Sequence, residues 1–179
     1  MRIIGGSNKR RIIKVPSGLP VRPTTDLAKE ALFNILNNHF DFEAIRVLDL
    51  FSGTGNIAFE FASRGALEVI AVENNSRCVT HLHNTIKSLQ FGQMVAVKAD
   101  ALRFITSCRS NFDIVFADPP YEIPDIVSIP DLVFKHNLLD SNGWLVLEHA
   151  SHTHFDNHPN FTGKRKYGRV HFSFFSGQP

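Results

Sequence analysis

Arg46-Val47-Leu48-Asp49-Leu50-Phe51-Ser52-Gly53-Thr54-Gly55, followed by Ile57–Arg64 and stopped at Gly65, is the stretch that decides the fold. An apolar run, a glycine turn and a helical segment occur in that order. Downstream the same unit repeats. Val69–Glu73 predicts a second strand, Ser76 caps a helix through Val79, Leu82, Ile86 and Leu89, and Met94–Ala99 predicts a third strand. Ala101–Cys108 is a short helix, Phe112–Ala117 a fourth strand, Asp131–His136 a helix and Trp144–Glu148 a fifth strand. Strands as continuously apolar as Ile114-Val115-Phe116-Ala117 fit a parallel sheet covered on both faces. Alternating strand–helix units predict a doubly wound, mostly parallel α/β sheet. Arg169–Phe175 adds a late strand, antiparallel and paired with the basic stretch before it. Upstream, Arg2–Gly5 and Arg10–Val15 predict a β-hairpin around Gly5-Gly6-Ser7-Asn8, and Pro16, Gly18, Pro20 and Pro23 an extended linker. Thr24 or Thr25 caps a helix whose apolar stripe is Leu27, Ala28, Ala31, Leu32, Ile35 and Leu36.

The chain has 179 residues, 43% hydrophobic and 20% charged, which suits one compact domain. Two cysteines, Cys78 and Cys108, are too few for a disulfide framework and suit a reducing cytoplasm. No apolar run approaches the roughly 20 residues of a membrane span. Secreted and membrane classes are therefore set aside. The net charge of +2 conceals a pattern. Residues 1–25 carry six Lys/Arg and no acid, residues 26–156 carry nine basic and 17 acidic residues, and residues 157–179 carry four basic residues and no acid. Two basic ends around an acidic middle suggest a polyanionic partner.

In doubly wound sheets ligands bind beyond the carboxyl ends of the strands. Gly53 and Gly55 permit a tight turn and close backbone approach, with Asp49 just before them. Glu73 ends the second strand, 24 positions beyond Asp49, where a carboxylate can accept both ribose hydroxyls. Asp100, beside Ala101, follows the third strand and is placed for an adenine amine, with Phe51 and Phe104 available to border the ring. Taken alone, Gly53-Thr54-Gly55-Asn56-Ile57-Ala58 also fits a dinucleotide fingerprint. A NAD(P)-dependent oxidoreductase is thus an alternative, one that leaves the next motif idle.

That motif is Asp118-Pro119-Pro120-Tyr121, after the fourth strand. The prolines have no N–H, so the turn offers acceptors only. Acceptors out of the plane of an aryl amine draw its N–H bonds toward tetrahedral geometry and restore lone-pair character. The amine then attacks the methyl carbon carried on a sulfonium by in-line displacement, Asp118 stabilises the emerging positive charge, and Tyr121 stacks on the base. The four acidic and glycine-containing motifs together resemble the S-adenosylmethionine-dependent amino-methyltransferases. More narrowly, Arg2-Ile3-Ile4-Gly5-Gly6, Arg22-Pro23-Thr24-Thr25-Asp26, Asp49–Gly55 and Tyr167-Gly168 resemble the RsmD family, whose members methylate the exocyclic amine of a guanine in 16S rRNA.

The resemblance implies a Rossmann-like methyltransferase sheet using S-adenosylmethionine. It places Asp49, Gly53 and Gly55 around the methionine moiety, Glu73 on the ribose, Asp100 and Ala101 at the adenine, and Asp118, Pro119, Pro120 and Tyr121 at the guanine. Arg22-Pro23-Thr24-Thr25 closes over cofactor and target. RNA phosphates would meet Lys9, Arg10, Arg11, Lys14, Arg22, Lys164, Arg165 and Lys166. Residues 1–23 form a basic RNA-contacting extension and 24–179 the methyltransferase domain. The expected partner is 16S rRNA within a small-subunit assembly particle, met by a cytoplasmic monomer. DNA adenine, protein glutamine and a non-catalytic RNA-binding assembly role are the alternatives. Residues 150–163 match nothing in the family. His149, His152, His154 and His158 lack cysteine partners and firm ligand geometry, so no metal is expected there.

Overall fold

The computed structural model describes residues 1–19, 25–120, 123 and 126–177. Twelve regular elements follow one another: α1 (Asp26–Asn37), β1 (Arg46–Leu50), α2 (Ala58–Ser63), β2 (Glu68–Glu73), α3 (Ser76–Leu89), β3 (Met94–Lys98), α4 (Ala101–Ser107), β4 (Phe112–Ala117), α5 (Ser128–Lys135), β5 (Leu139–His149), β6 (Phe161–Tyr167) and β7 (Val170–Ser176). A 3-10 turn at Phe42–Ala44 precedes β1. The strands form one seven-stranded sheet in the order β3-β2-β1-β4-β5-β7-β6. β1 to β5 are mutually parallel, and β7 runs antiparallel to both β5 and β6. The order reverses between β1 and β4, which is where a ligand crevice opens in such sheets.

Two cores follow from the period-two alternation of strand side chains. One face packs Val47, Val69, Ala71, Phe116, Val146, Phe172 and Phe174 under α1, α2 and Leu82 of α3. The other packs Leu48, Leu50, Val72, Val115 and Leu147 under α4 and α5. Residues 1–19 are joined to the first core through Ile3 and Ile13. Among the described residues no helix is long and apolar enough to cross a membrane.

The predicted doubly wound, mostly parallel α/β class holds, as does the late antiparallel strand paired with the basic stretch before it, and several local readings are corrected. Instead of two hairpin strands the amino-terminal segment makes a single antiparallel bridge, Arg2 with Ile12. Its other backbone bonds run from Met1 to Ile13 and from Arg10 to Ile3, within a turn around Gly6–Arg10, and to Ser63 and Glu60. Leu27 is 71% exposed, whereas Lys29 is 1% exposed and lies on the buried face of α1 with Ala28, Leu32, Phe33 and Leu36. Position on the helix, not side-chain polarity, fixed that face. Thr25 caps α1 by accepting from the Ala28 amide, and Asn75, not Ser76, caps α3. Cys108 terminates α4 and is not within it. β5 begins at Leu139, five residues before the expected start, with an irregularity opposite Phe112–Ile114 that absorbs the extra length. α5 likewise starts at Ser128.

Candidate active site at the carboxyl edge of the sheet

Strand register aligns a row of carboxylates. Asp49 lies opposite Ala71 of β2 and Phe116 of β4, and Val146 of β5 lies opposite Phe116. Two residues further along each of β2, β4 and β5 stand Glu73, Asp118 and Glu148, all on the face that carries Asp49.

Asp49 is 2% exposed. Its Oδ2 accepts from the Ala58 amide at 3.2 Å, which anchors the amino end of α2. Burial raises its pKa to about 8, against weaker lowering by Ser52 and Ala58. After β1 the chain turns through three left-handed residues: Phe51 at φ 60°, Gly53 at 53° and Gly55 at 82°. Phe51 has no glycine's freedom there, and such strain recurs at ligand sites. At Gly55 a Cβ would lie 2.5 Å from Leu82 Cδ2 and 2.6 Å from Phe59 Cε2, so the turn is pressed against α2 and α3.

Glu73 fixes that turn from the neighbouring strand. Its Oε2 accepts from the Gly53 amide at 2.8 Å and its Oε1 from the Asn75 amide at 2.7 Å. A carboxylate has about four acceptor positions, so two backbone bonds leave room for a diol. Asp100 caps α4, with Oδ1 accepting from the Arg103 amide at 2.9 Å, and Ala101 beside it is buried. Asp118 is part-buried, Pro119 buried and Pro120 exposed. The Asp118 pKa is pushed well above its usual value, first by burial and then by the charges of Glu148 and Asp49. The Pro120 carbonyl accepts from the Ile123 amide at 3.0 Å, so the acceptor face of this turn rests on Asp118 and Pro119. Arg22, Thr24 and Tyr121 lie outside the described residues.

A second network, unread in the sequence, supports the turn from below. Lys29 Nζ donates to the Arg2 carbonyl at 2.6 Å and to Asn56 Oδ1 at 2.9 Å, and lies 3.4 Å from Glu60 Oε2. Glu60, 0% exposed, also accepts from the Ile4 amide and from Arg64 Nε, both at 2.9 Å. Arg64 in turn covers the Phe33 ring, its guanidinium carbon 4.7 Å from the centroid. The readable signal was a lysine in register with Leu32, Phe33 and Leu36. Glu148, 5% exposed, was also missed. Its signal was an acid closing the fifth strand as Glu73 closes the second.

The basic residues Lys9, Arg10, Arg11 and Lys14 are all exposed on the amino-terminal segment, and Arg165 and Lys166 are exposed on the edge strand β6, beside a less exposed Lys164. Among the described residues none of these seven forms an ion pair. The histidines disperse. His149 is buried between the Ser173 hydroxyl and the Ala150 carbonyl, each 2.8 Å away, while His158 meets Asp131 and His154 meets Asp156.

This strand order, with its one reversed strand and an acid at the end of successive parallel strands, is that of the S-adenosylmethionine-dependent, Rossmann-like methyltransferases. The profile of the family described as conserved hypothetical protein 95 matches residues 1–176. Ribosomal RNA small subunit methyltransferase D of Escherichia coli K12 is 32% identical over 151 residues, covering 83% of this chain and 71% of that protein. The protein of the same name from Haemophilus influenzae is 30% identical over 152 residues, covering 83% and 78%. A solved hypothetical protein of Thermus thermophilus superposes with a TM-score of 0.87 at 26% identity, over 99% of each chain. The chain belongs to this family, the RsmD-type methyltransferases.

Proposed function

We propose that the protein transfers a methyl group from S-adenosylmethionine to N2 of a specific guanine in 16S rRNA, acting on a small-subunit assembly particle. The observation that carries the reading is the row Asp49, Glu73 and Asp118 at the carboxyl edge of the sheet, on either side of the β1–β4 reversal. The cofactor, when bound, supplies an electrophilic methyl group on a positively charged sulfur. The residues present suit it. The Asp49 carboxyl is raised to about 8 by burial, a cost that a nearby ammonium or sulfonium relieves. Glu73 would hold the ribose, Gly53 and Gly55 would admit the methionine moiety, and Asp100 with Ala101 would border the adenine.

On the target side, Asp118 and the Pro119 carbonyl would accept the amine hydrogens and orient the nitrogen lone pair. Asp118 would then stabilise the charge that develops on nitrogen. Tyr121 would stack on the base, and Arg22 and Thr24 would close over both ligands. RNA is supported as substrate by the names of the relatives and by the basic residues Lys9, Arg10, Arg11, Lys14, Lys164, Arg165 and Lys166, none of them in an ion pair among the described residues. The proposed form is a cytoplasmic monomer.

The test is mass spectrometry of 16S rRNA nucleosides from a strain lacking the gene. The expected result is loss of one N2-methylguanosine, restored by methyl transfer onto isolated small-subunit particles more efficiently than onto free rRNA. An unchanged inventory of methylguanosines refutes the proposal.

A further inference from the structure

Glu148 is a buried acid that the proposed reaction has not yet used. β4 and β5 are parallel neighbours with Phe116 opposite Val146 and Ala117 opposite Leu147. The next residues on the two strands are Asp118 and Glu148, which therefore stand side by side on one face, roughly 4.8 Å apart along the backbone. Asp49 lies on the same face, one pleat lower. Glu148 is 5% exposed and is held on its far side by β7, opposite Phe172. Two acids have thus been brought together at the mouth of the site, where burial and like charge oppose each other's ionisation.

A ligand with adjacent donors can meet both carboxylates of such a pair at once. The nucleobases with exocyclic amines differ in this respect. In guanine, N2 is flanked by the ring N1–H, so the edge offers donors at both positions. In adenine the amine N6 is flanked by N1, and in cytosine N4 is flanked by N3, each a lone pair. A second carboxylate beside the amine-binding one meets a donor in guanine and a repelling acceptor in the other two.

We propose that Glu148 is a specificity residue that receives the guanine N1–H while Asp118 receives the N2 amine. This deepens the reading given above and rests on it. In the free protein the negative charge of Glu148 helps to hold the proton on Asp118. A base edge with two neighbouring donors offsets the repulsion between the two acids and favours the ionised form of Asp118, whose proton passes to solvent, so guanine selection and activation of Asp118 are one event. Glu148 has a further interaction within the protein, and a carboxylate with about four acceptor positions accommodates it together with N1–H.

The deciding experiment places 2-aminopurine at the mapped target nucleotide of the RNA. This base retains the amine at position 2, but its N1 carries a lone pair and no hydrogen. Purified full-length protein is assayed on the guanine and 2-aminopurine RNAs, as wild type and as Glu148→Gln. Wild type is expected to favour guanine in kcat/KM by on the order of 100-fold, because losing a hydrogen bond to a charged, buried acceptor leaves that acceptor facing a lone pair. In Glu148→Gln the amide can turn its N–H toward N1 of 2-aminopurine. The preference should therefore shrink at least about tenfold, with activity on guanine reduced and on 2-aminopurine increased. S-adenosylmethionine affinity, measured by calorimetry, should stay within about twofold, as Glu148 is not among the cofactor residues.

Equal wild-type rates on the two RNAs overturn the proposal, as does a Glu148→Gln enzyme that keeps the wild-type preference. Because 2-aminopurine also lacks the O6 of guanine, the change in preference on altering Glu148 carries the assignment, and if Glu148→Gln does not fold, Glu148→Ala takes its place and should likewise narrow the preference. Absence of wild-type methylation on the guanine RNA defeats the functional reading itself, and with it this assignment. That outcome is distinguished from failure of the specificity role, in which guanine is methylated but 2-aminopurine is methylated as well.

Discussion

Replacing Lys29 with methionine keeps the length of the side chain and removes its charge. Lys29 is 1% exposed and meets three acceptors: the Arg2 carbonyl at 2.6 Å, Asn56 Oδ1 at 2.9 Å and Glu60 Oε2 at 3.4 Å. Burial lowers the Lys29 pKa although Glu60 and Asp26 raise it, so desolvation outweighs the attraction. The pair itself adds little net stability, yet breaking it leaves Glu60 with one cation fewer. Removing one partner of a buried pair costs about 3–5 kcal/mol. Arg64 and the Ile4 amide still serve Glu60, which pulls the figure down; the Arg2 carbonyl, deprived of the lysine donor, pushes it up by about 1–3 kcal/mol. The expectation is about 3–5 kcal/mol in all, or a fall in Tm of about 6–20 °C for a domain of this size. Thermal unfolding by circular dichroism and urea titration both measure it. Glu60→Gln alone should cost less, since a neutral amide can still accept from Lys29, and Lys29→Met with Glu60→Gln should cost less than the sum of the two. A Lys29→Met protein whose Tm lies within about 2 °C of wild type would refute the claim that this lysine supports the turn.

Asp49 sets a pH dependence whose sign is opposite to that of a salt-bridged acid. Its native pKa, about 8, lies above the ordinary 3.8, so the folded state keeps a proton that the unfolded state releases. Stability from this group is complete below pH 3.8 and is lost as pH rises through about 8, so the urea midpoint of unfolding should fall over that window. Asp49→Asn should flatten the profile, and an unaltered profile in that variant contradicts the assignment. In Asp118→Asn the acceptor remains and the charge is gone: S-adenosylmethionine affinity should hold within about threefold while kcat falls on the order of 100-fold, and a normal kcat argues against the charge role. Gly6 has φ +72°, and a Cβ there would stand 1.7 Å from the Ser63 carbonyl oxygen. Gly6→Ala should therefore cost more than about 2 kcal/mol in thermal unfolding, and a neutral result would mean that the amino-terminal turn is not seated on α2.

Most of the fold was legible because periodicity and turn residues report local structure directly. The β1–Gly55 turn, the acids ending β2 and β4, and the late antiparallel strand could all be read from spacing. What could not be read were facts of tertiary placement. Lys29 resembles a solvated lysine in the sequence and becomes a buried donor only when the Arg2 backbone and Asn56 arrive beside it. Leu27 resembles core and is instead 71% exposed, because α1 is rotated to present Lys29 and Phe33. The amino-terminal segment pairs less with itself than expected because Ser63 and Glu60 compete for its backbone groups. The acids at the strand ends were legible one at a time. Their alignment into a single row needed the register.

The six residues of α2 connect the two halves of the proposed reaction. Its amino end is held by Asp49, through the Ala58 amide, at the turn that would carry the cofactor. Its middle supplies Glu60, which grips the Ile4 amide and Lys29. Its carboxyl end supplies Ser63, whose Oγ donates to the Gly5 carbonyl at 2.6 Å and accepts from the Asn8 amide at 3.0 Å. Lys9, Arg10 and Arg11 follow directly on that anchored segment. A helix of six residues spans about 9 Å, so the proposed phosphate contacts and the cofactor turn sit at opposite ends of one short rigid strut. Gly5-Gly6 belongs to the same construction: the backbone approaches α2 so closely that a Cβ on Gly6 would enter the Ser63 carbonyl. The basic amino terminus is therefore not a loose electrostatic tail. It is a surface whose distance from the proposed methyl-transfer site is fixed by hydrogen bonds, as the proposed positioning of one base of a large RNA would require.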